Sequence, residues 1–352
     1  MKKILFTGGG SGGHVTLNLS LIPLFLEDGW EVVYIGSKNG IERELIGKFA
    51  DVRYHAIETG KLRRYFSWEN FKDALRVPLG ILQAVRIVHK EKPDIIFSKG
   101  GFVSFPVVLA GYLNRCPKIF MHESDVTPGL ANKMSLPFVD TFFTTFPDTA
   151  QYVQNPQKVN YVGPVLSARL DNGDAEHGRN MCFFNKDKPV IMFVGGSLGA
   201  KSINHAVIKN LEELLEKYQI IHICGKGQTS QARCEGYAPF EFVDKEFKDL
   251  MALADVVISR SGSNAIFELL SQKKPMLLVP LPSTSSRGEQ SLNAQSFQKQ
   301  GFAEIIKDED VDKDLVAAVD MVYAHREQYI ANMETADWKH TSNQNLFAEI
   351  IK

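Results

Sequence analysis

The glycine-rich segment at residues 7–14 constrains the fold of this chain more than any other feature. It reads Thr-Gly-Gly-Gly-Ser-Gly-Gly-His and follows directly on the apolar run Ile4-Leu5-Phe6. A strand-to-helix turn without Cβ atoms brings backbone amides close to a phosphate at the positive end of a helix. His14 closes the segment and can act as a base near neutral pH. The segment therefore predicts a phosphate-binding turn in an α/β protein.

Glycine-rich turns recur later in the chain, as Gly100-Gly101 and as Gly195-Gly196-Ser197-Leu198-Gly199. Apolar runs alternate with amphipathic stretches of helical spacing, such as 202–218 and 264–272. We interpret the apolar runs as buried parallel strands at 3–6, 31–35, 95–98, 118–121, 141–144, 190–194, 220–224, 240–243, 256–259 and 276–279. The polar stretch 171–187 has no periodicity and is interpreted as a surface loop.

This alternation predicts two doubly wound α/β domains with right-handed crossovers, the first ending near Val162. Open parallel sheets bind ligands at the carboxyl ends of their strands, where all three glycine turns are predicted to lie. The active site is therefore expected in a cleft between the two domains.

Composition narrows the class of protein. A chain of 352 residues suits two domains, and a net charge of −1 gives no support for nucleic-acid binding. The four cysteines lack metal-ligand spacing and are expected to be buried free thiols. We find no signal-peptide pattern and no stretch of about 18 apolar residues that would span a bilayer. The expectation is a cytoplasmic protein that could still lie on a membrane surface.

Familiar nucleotide motifs are missing. Residues 8–13 can be forced into a GxGxxG pattern, but Tyr-Ile-Gly-Ser-Lys at 34–38 lacks the acidic residue that a dinucleotide site needs. The chain contains neither a GxxxxGK[ST] sequence nor a GxSxG sequence, which excludes a P-loop NTPase and disfavours a nucleophile elbow. A glycosyltransferase that uses a nucleotide sugar fits the remaining features best.

Six segments together resemble the MurG family. They are the three glycine turns, His-Glu-Ser-Asp-Val-Thr-Pro-Gly-Leu-Ala-Asn at 122–132, Arg-Ser-Gly-Ser-Asn-Ala-Ile-Phe-Glu at 260–268, and Arg-Gly-Glu-Gln-Ser-Leu-Asn-Ala at 287–294. The resemblance covers essentially the whole chain. It implies a GT-B fold and an inverting transfer of N-acetylglucosamine (GlcNAc) from UDP-GlcNAc to the muramoyl sugar of undecaprenyl-diphosphoryl-muramoyl-pentapeptide (lipid I), which gives lipid II. It also implies an acceptor domain at 1–162 and a donor domain at 163–352, whose last helix could pack back on the first domain.

An inverting transfer needs a base on the acceptor hydroxyl and no covalent nucleophile. The resemblance makes His14 the first candidate, with Asp125 and Glu123 as rivals. Many family members carry Asn where this chain has Asp125. Two other interpretations stay open. His14 could serve merely as a hydrogen-bond partner of the phosphates, and Asp125 could be the N-cap of the helix that follows it.

The resemblance assigns the binding residues by position. The donor residues are Gly196, Ser197, Leu198, Gly199, Phe242, Val243, Ser263, Asn264, Glu268, Gln290 and Asn293, with Glu268 on the ribose hydroxyls and Phe242 either framing uracil or lying in the core. The acceptor and diphosphate residues are Thr7, Gly9, Gly10, Ser11, Gly12, Gly13, Gly100, Gly101, Ser167 and Arg169. Ser167 stands where many members have arginine, so Arg169, Arg260 or Arg287 would have to supply that charge.

Cations and aromatics alternate at residues 61–71, with Arg63, Arg64 and Trp68 among them. This composition suits an anionic membrane surface or a lipid diphosphate, although a solvated loop would look similar. The resemblance implies a peripheral enzyme on the cytoplasmic face of the bacterial membrane, with roles in peptidoglycan synthesis, cell shape and division. The expected partners are UDP-GlcNAc, lipid I, anionic inner-leaflet lipid and other wall-synthesis proteins, and we expect no metal, cofactor or nucleic acid.

Three competing functions remain open on the sequence alone. They are a diacylglycerol glycosyltransferase that uses a UDP-sugar, a UDP-GlcNAc 2-epimerase, and a catalytically silent scaffold for wall-synthesis proteins.

Overall fold

The structure is a computed structural model that describes residues 1–60, 68–166, 170–196, 199–228, 230, 232, 234–282 and 286–352, and the side chains of all of these except 68–75. The chain forms two compact units. The first comprises Met1–Val165 and Lys339–Lys352, and the second comprises Leu166–Trp338. The predicted α/β class is confirmed in both units.

A seven-stranded parallel sheet in the order β3-β2-β1-β4-β5-β6-β7 forms the centre of the first unit. Its strands are β1 (Lys3–Thr7), β2 (Glu31–Ser37), β3 (Val52–Ile57), β4 (Ile95–Ser98), β5 (Lys118–Glu123), β6 (Thr141–Thr144) and β7 (Val159–Tyr161). Numbered along the whole chain, its helices are α1 (Thr16–Glu27), α2 (Ile41–Ile46), α3 (Trp68–Glu91), α4 (Ser104–Leu113), α5 (Leu130–Ser135) and α14 (Asn343–Ile351).

Alternate residues of these strands face two separate cores. Ile4 and Phe6 of β1 pack on one face, with α1 and α14, whereas Leu5 packs on the other face, with α3 and α4. Both faces of a parallel sheet are covered by crossover helices, so its strands read as nearly continuous apolar runs. This explains why the strand positions could be predicted from hydrophobicity.

The C-terminal helix α14 belongs to the first unit. Leu346 and Ile350 are buried in the α1-side core, and the Phe347 ring lies edge-on to that of Phe25, with centroids 4.7 Å apart. The preceding residues also join this unit, because the Thr341 amide donates to the Pro164 carbonyl at 3.0 Å.

The second unit repeats the arrangement with six parallel strands in the order β10-β9-β8-β11-β12-β13. The strands are β8 (Val190–Val194), β9 (Gln219–Ile223), β10 (Tyr237–Phe240), β11 (Val256–Ser259), β12 (Met276–Leu278) and β13 (Ala303–Ile305). The helices are α6 (Ala175–Cys182), α7 (Lys201–Lys209), α8 (Leu211–Lys217), α9 (Phe247–Leu253), α10 (Ser263–Ser271), α11 (Glu289–Lys299), α12 (Val311–Ala324) and α13 (Arg326–Thr335).

Several local predictions are wrong. Strands β3, β7 and β13 were not predicted, because they are short or partly exposed and lack a long apolar run. Strand β10 lies three residues earlier than predicted. The segment interpreted as a loop contains α6, which Asp174 caps by accepting hydrogen bonds from the amides of Glu176 and His177.

The four cysteines are free, as expected, but only Cys182 and Cys224 are buried, whereas Cys116 is half-buried and Cys234 is exposed. No helix in the described ranges is long and apolar enough to cross a bilayer.

Candidate active-site loops

In each sheet the direction of the strand order changes at one point. The two strands that are neighbours at this reversal point lead into the glycine-containing turns. In the first unit β1 and β4 are neighbours, and they lead into the turns at 8–14 and 99–103. In the second unit β8 and β11 are neighbours and lead into residues 195–200 and 260–262. Ligands of open α/β sheets bind at such reversal points.

The two glycine turns of the first unit interlock. The Gly9 amide donates to the Gly100 carbonyl at 3.3 Å. A Cβ on Gly101 would overlap the Gly9 carbonyl oxygen, and a Cβ on Gly10 would overlap the Phe102 ring. Side chains at these glycines are therefore excluded by direct contact.

Polar side chains support the first turn from below. The Tyr34 hydroxyl donates to the Gly8 carbonyl at 2.7 Å, and Asn18 Nδ2 donates to the Thr7 carbonyl at 3.2 Å. Thr7 itself is buried, and its hydroxyl donates to the Ile35 carbonyl at 2.9 Å. The hydroxyl of Thr7, a predicted diphosphate ligand, is thus used within the sheet.

The outer half of the turn faces solvent. Gly10, Ser11, Gly12 and Gly13 are exposed, and His14 is half-buried two residues before α1. Ser11 Oγ and His14 Nδ1 lie 3.0 Å apart. When Nδ1–H donates to Ser11, the other ring nitrogen, Nε2, is left unprotonated and can take a proton.

Glu123 holds the loop that follows β5. Its Oε1 accepts from the amides of Ser124 and Asp125 at 2.9 and 3.1 Å, and its Oε2 accepts from the Gly129 amide and Asn132 Nδ2, both at 2.9 Å. Burial, and then the charge of Asp125, raise the pKa of this carboxyl. A carboxylate with four donors is well suited to fix residues 124–129.

Asp125 lies half-buried in this loop. Helix α5 begins at Leu130 with Gly129 at its N-cap, so Asp125 does not cap it. Its backbone carbonyl accepts from the Thr149 hydroxyl at 3.3 Å.

Lys99 is a site residue that the sequence analysis missed. It is only 4% exposed, and its Nζ donates to Ser124 Oγ at 2.6 Å. Burial lowers its pKa, against the opposing charges of Glu123 and Asp125. The sequence feature that could have identified Lys99 is its position between the apolar run of β4 and Gly100.

His122 is buried beside this group. Both of its ring nitrogens lie without a hydrogen-bond partner among the described residues. Burial, and then the charge of Lys99, hold the pKa of His122 well below its usual range. His122 is therefore neutral at physiological pH.

In the second unit, the Gly199 amide donates to the Gly196 carbonyl at 2.9 Å and closes the third glycine turn. Asn204 Nδ2 donates to the Cys224 carbonyl at 2.9 Å, behind this turn. His222 Nε2 lies 3.0 Å from Asn204 Oδ1, and its Nδ1 lies 2.9 Å from the Tyr237 hydroxyl. Burial lowers the pKa of His222 to about 4. The neutral ring therefore donates to Asn204 and accepts from Tyr237.

Two of the three predicted donor residues on α10, Asn264 and Glu268, share one face. Asn264 is exposed and Glu268, one turn later, is half-buried. Ser263, the first residue of the helix, is buried. Asn264 and Glu268 thus lie on a solvent-accessible face of the helix that follows β11.

Helix α11 supports the turn after β11. Asn293 is completely buried, and its Nδ2 donates to the Ser261 carbonyl at 3.2 Å. The Ser261 hydroxyl donates to the Gln290 carbonyl at 2.9 Å, and Gln290 Oε1 accepts from the Leu281 amide at 3.1 Å. These contacts suit Asn293 to positioning the turn.

Phe242 is 49% exposed, so it is not a core residue. Lys226 Nζ lies 4.8 Å from the centroid of its ring. Val243 beside it is half-buried.

Two cations considered for the diphosphate have carboxylate neighbours. Arg260 Nη1 donates to Asp308 at 2.5 Å and to the Val279 carbonyl at 3.0 Å. Arg287 Nε lies 3.7 Å from Glu289. The Arg260 guanidinium is thus engaged by an ion pair and a hydrogen bond within the second unit.

Some predicted residues lie outside the described part of the chain. These are Arg63, Arg64, Ser167, Arg169, Ser197 and Leu198, together with the side chain of Trp68.

Both halves of the chain match known protein families. Residues 4–144 match the glycosyltransferase family 28 N-terminal domain, and residues 190–352 match its C-terminal domain. A UDP-N-acetylglucosamine–N-acetylmuramyl-(pentapeptide) pyrophosphoryl-undecaprenol N-acetylglucosamine transferase of Geobacillus kaustophilus is 54% identical over 338 residues, which are 95% of this chain and 94% of the relative. A Clostridium tetani protein of the same name is 48% identical over 342 residues, 96% of this chain and 95% of the relative.

Solved structures agree on the fold. MurG of Acinetobacter baumannii has a TM-score of 0.77 at 21% identity and covers 100% of this chain and 99% of its own. A putative UDP-N-acetylglucosamine 2-epimerase of Listeria monocytogenes has a TM-score of 0.64 at 12% identity, with 100% and 95% covered. Two glycosyltransferase family 28 domains and the identity to curated relatives lead to one conclusion: the chain belongs to the MurG family of GT-B glycosyltransferases.

Proposed function

We propose that this protein transfers GlcNAc from UDP-GlcNAc to the muramoyl sugar of lipid I and so forms lipid II. The observation that carries the proposal is the 54% identity, over 95% of the chain, to a relative named for this transfer. The glycine turns at both reversal points support it, because ligands of open α/β sheets bind there and backbone amides of glycine-rich turns suit a diphosphate.

We assign the acceptor to the first unit and the donor to the second. Exposed Ser11, Gly12 and Gly13 are suited to the acceptor diphosphate. In the second unit, Glu268 offers two acceptor oxygens to the vicinal ribose hydroxyls. The third glycine turn is suited to stabilising charge on the departing UDP.

His14 is our candidate for the base. It takes the proton from the acceptor hydroxyl as the oxygen attacks C1 of GlcNAc, and the bond from C1 to the UDP oxygen breaks. Asp125 is the main rival. Glu123 is disfavoured, because four hydrogen bonds from its own loop already engage its carboxylate.

The reaction assay has three arms. Labelled UDP-GlcNAc is incubated with lipid I, with diacylglycerol, and with no acceptor, and the last arm is analysed for UDP-N-acetylmannosamine. Transfer to lipid I alone is the expected result. Transfer to diacylglycerol or epimerisation would replace the proposal, and inactivity in every arm would favour a scaffold.

We further propose that the first unit binds the cytoplasmic face of the membrane. Exposed apolar side chains lie on two helices that pack together, Leu79 (47%) and Leu82 (58%) on α3 and Tyr112 (55%) and Leu113 (57%) on α4. Exposed apolar side chains on two packed helices can form an interaction surface when they are contiguous. Contact with lipid would bring the enzyme to a membrane-anchored acceptor.

Co-sedimentation with anionic vesicles tests this surface. Leu82→Glu with Leu113→Glu should release the protein at all salt concentrations, because burial of apolar surface is lost. Arg63→Glu with Arg64→Glu should weaken binding mainly at low salt. Ile208→Glu is the control, since Ile208 is 44% exposed in the second unit. Unchanged binding by both double variants would refute this membrane contact.

A further inference from the structure

A buried carboxylate lies beneath the first glycine turn. Glu42, in the first turn of α2, is completely buried. Its Oε1 accepts from the amide and the hydroxyl of Ser37 at 2.9 and 2.5 Å. Its Oε2 accepts from the Gly10 amide at 3.2 Å. One side chain thus joins the end of β2 to the turn after β1.

Three glycines from separate segments make room for this carboxylate. A Cβ on Gly9 would lie 2.5 Å from the Glu42 carboxyl carbon. A Cβ on Gly36 would overlap the Tyr54 hydroxyl and would also lie 2.9 Å from Glu42 Cγ. A Cβ on Gly40 would overlap the carboxylate itself. The backbone is therefore closely fitted around an ionisable group.

The carboxylate affects which amides of the turn can meet a phosphate. Gly10 has a φ of +89°, and its amide donates a hydrogen bond to the Glu42 carboxylate. The Gly9 amide donates a hydrogen bond to the Gly100 carbonyl. The negative charge of the buried Glu42 carboxylate, beside Gly10, would also repel an acceptor diphosphate. Residues 11–13, which are exposed, are left for it.

We propose that Glu42 is a positioning residue for the acceptor site. Its carboxylate acts as an internal anion that holds Gly10 in place and confines the acceptor diphosphate to Ser11, Gly12 and Gly13. This inference rests on the proposed function for the identity of the acceptor. The holding of the turn is a property of the protein alone and can be measured without substrate.

Glu42→Gln is the informative variant. The amide has nearly the same shape, but its NH₂ must face either the Ser37 donors or the Gly10 donor, so one side of the junction is lost. We expect kcat/KM for lipid I to fall about 10- to 100-fold through misplacement of the turn. KM for UDP-GlcNAc should change less than about twofold, since the donor residues lie in the other unit.

Hydrogen exchange of the intact protein supplies the second readout. Amides at residues 8–13 should exchange faster in Glu42→Gln than in the wild type. Glu44→Gln is the matched control, because Glu44 is exposed on the same helix and should alter neither exchange nor kinetics.

Two results would overturn the inference. One is unchanged exchange at residues 8–13 together with wild-type kcat/KM for lipid I. The other is an equal loss of kcat/KM for both substrates with a lowered Tm, which would indicate general destabilisation. If the wild type does not use lipid I, the proposed function fails, and the exchange data alone still decide whether Glu42 holds the turn.

Discussion

Gly101 packs so closely on Gly9 that a Cβ on Gly101 would overlap the Gly9 carbonyl oxygen. The two glycine turns of the first unit are therefore one structural element, although some ninety residues separate them in the sequence. Gly101 also has a φ of +88°. Both features require glycine at this position.

Gly101→Ala should destabilise the first unit by about 1–3 kcal/mol more than Gly29→Ala. Gly29 is a matched control, because its φ is +76° but no atom lies within 4 Å of its Cβ position. Both variants bear the cost of a positive φ, and only Gly101→Ala adds the overlap. Urea unfolding of the two variants measures the difference, and equal destabilisation would contradict the interlocked arrangement.

His14→Ala should lower kcat by roughly 100-fold or more while KM for UDP-GlcNAc changes little. The acidic limb of the pH–rate profile should change as well, because the group that must be deprotonated is gone. Asp125→Asn keeps the shape and removes the charge, and we expect it to retain most activity. A nearly normal kcat for His14→Ala beside an inactive Asp125→Asn would assign the base to Asp125.

Lys99→Met gives a second test of the base. Removing this buried cation should raise the pKa of the Glu123 carboxyl, which the charge of Lys99 lowers. If Glu123 is the base, the acidic limb of the pH–rate profile moves to higher pH. If His14 is the base, as we expect, the limb stays in place while the Tm falls. The pH dependence of kcat, measured on both proteins, distinguishes the two.

The positions of the glycine turns could be predicted because the signals are local. An apolar run followed by glycines fixes a strand end, and parallel strands put their carboxyl ends at one edge. The helical stretch that carries Asn264 and Glu268 could be predicted for the same reason. The short strand β13 and the edge strands β3 and β7 gave no comparable signal.

The roles of Glu42 and Lys99 could not be predicted, because they depend on contacts between distant segments. Glu42 reads in the sequence as one of two acidic residues at a helix start, and only the packing of Gly9, Gly36 and Gly40 around it shows its burial. Asn293 illustrates the opposite case. The resemblance predicts that it binds the donor, but its side chain is completely buried.

Glu268→Ala should weaken transition-state binding by roughly 2–3 kcal/mol, as expected for loss of a charged hydrogen-bonding partner. Glu268→Gln keeps one acceptor oxygen and should lose less. Steady-state kinetics with varied UDP-GlcNAc at saturating acceptor measure both variants. A change of less than about twofold in kcat/KM for Glu268→Ala would remove Glu268 from the donor site.

The stability of the second unit should depend on pH through His222. Burial lowers the pKa of His222 to about 4, whereas an unfolded histidine titrates near 6.5. Between these values the unfolded chain binds the extra proton, so stability falls as pH drops from about 6.5 to about 4 and this contribution levels off below. The full effect is about 3 kcal/mol.

His222→Gln removes the titrating ring and keeps a side chain that can donate to Asn204 and accept from Tyr237. Its stability should therefore vary less between pH 6.5 and pH 4 than that of the wild type, even if it is lower at pH 7. Urea unfolding at several pH values in this window measures both slopes. Equal slopes would mean that His222 takes up its proton as readily in the folded protein as in the unfolded chain, and the lowered pKa of the buried ring would have to be abandoned.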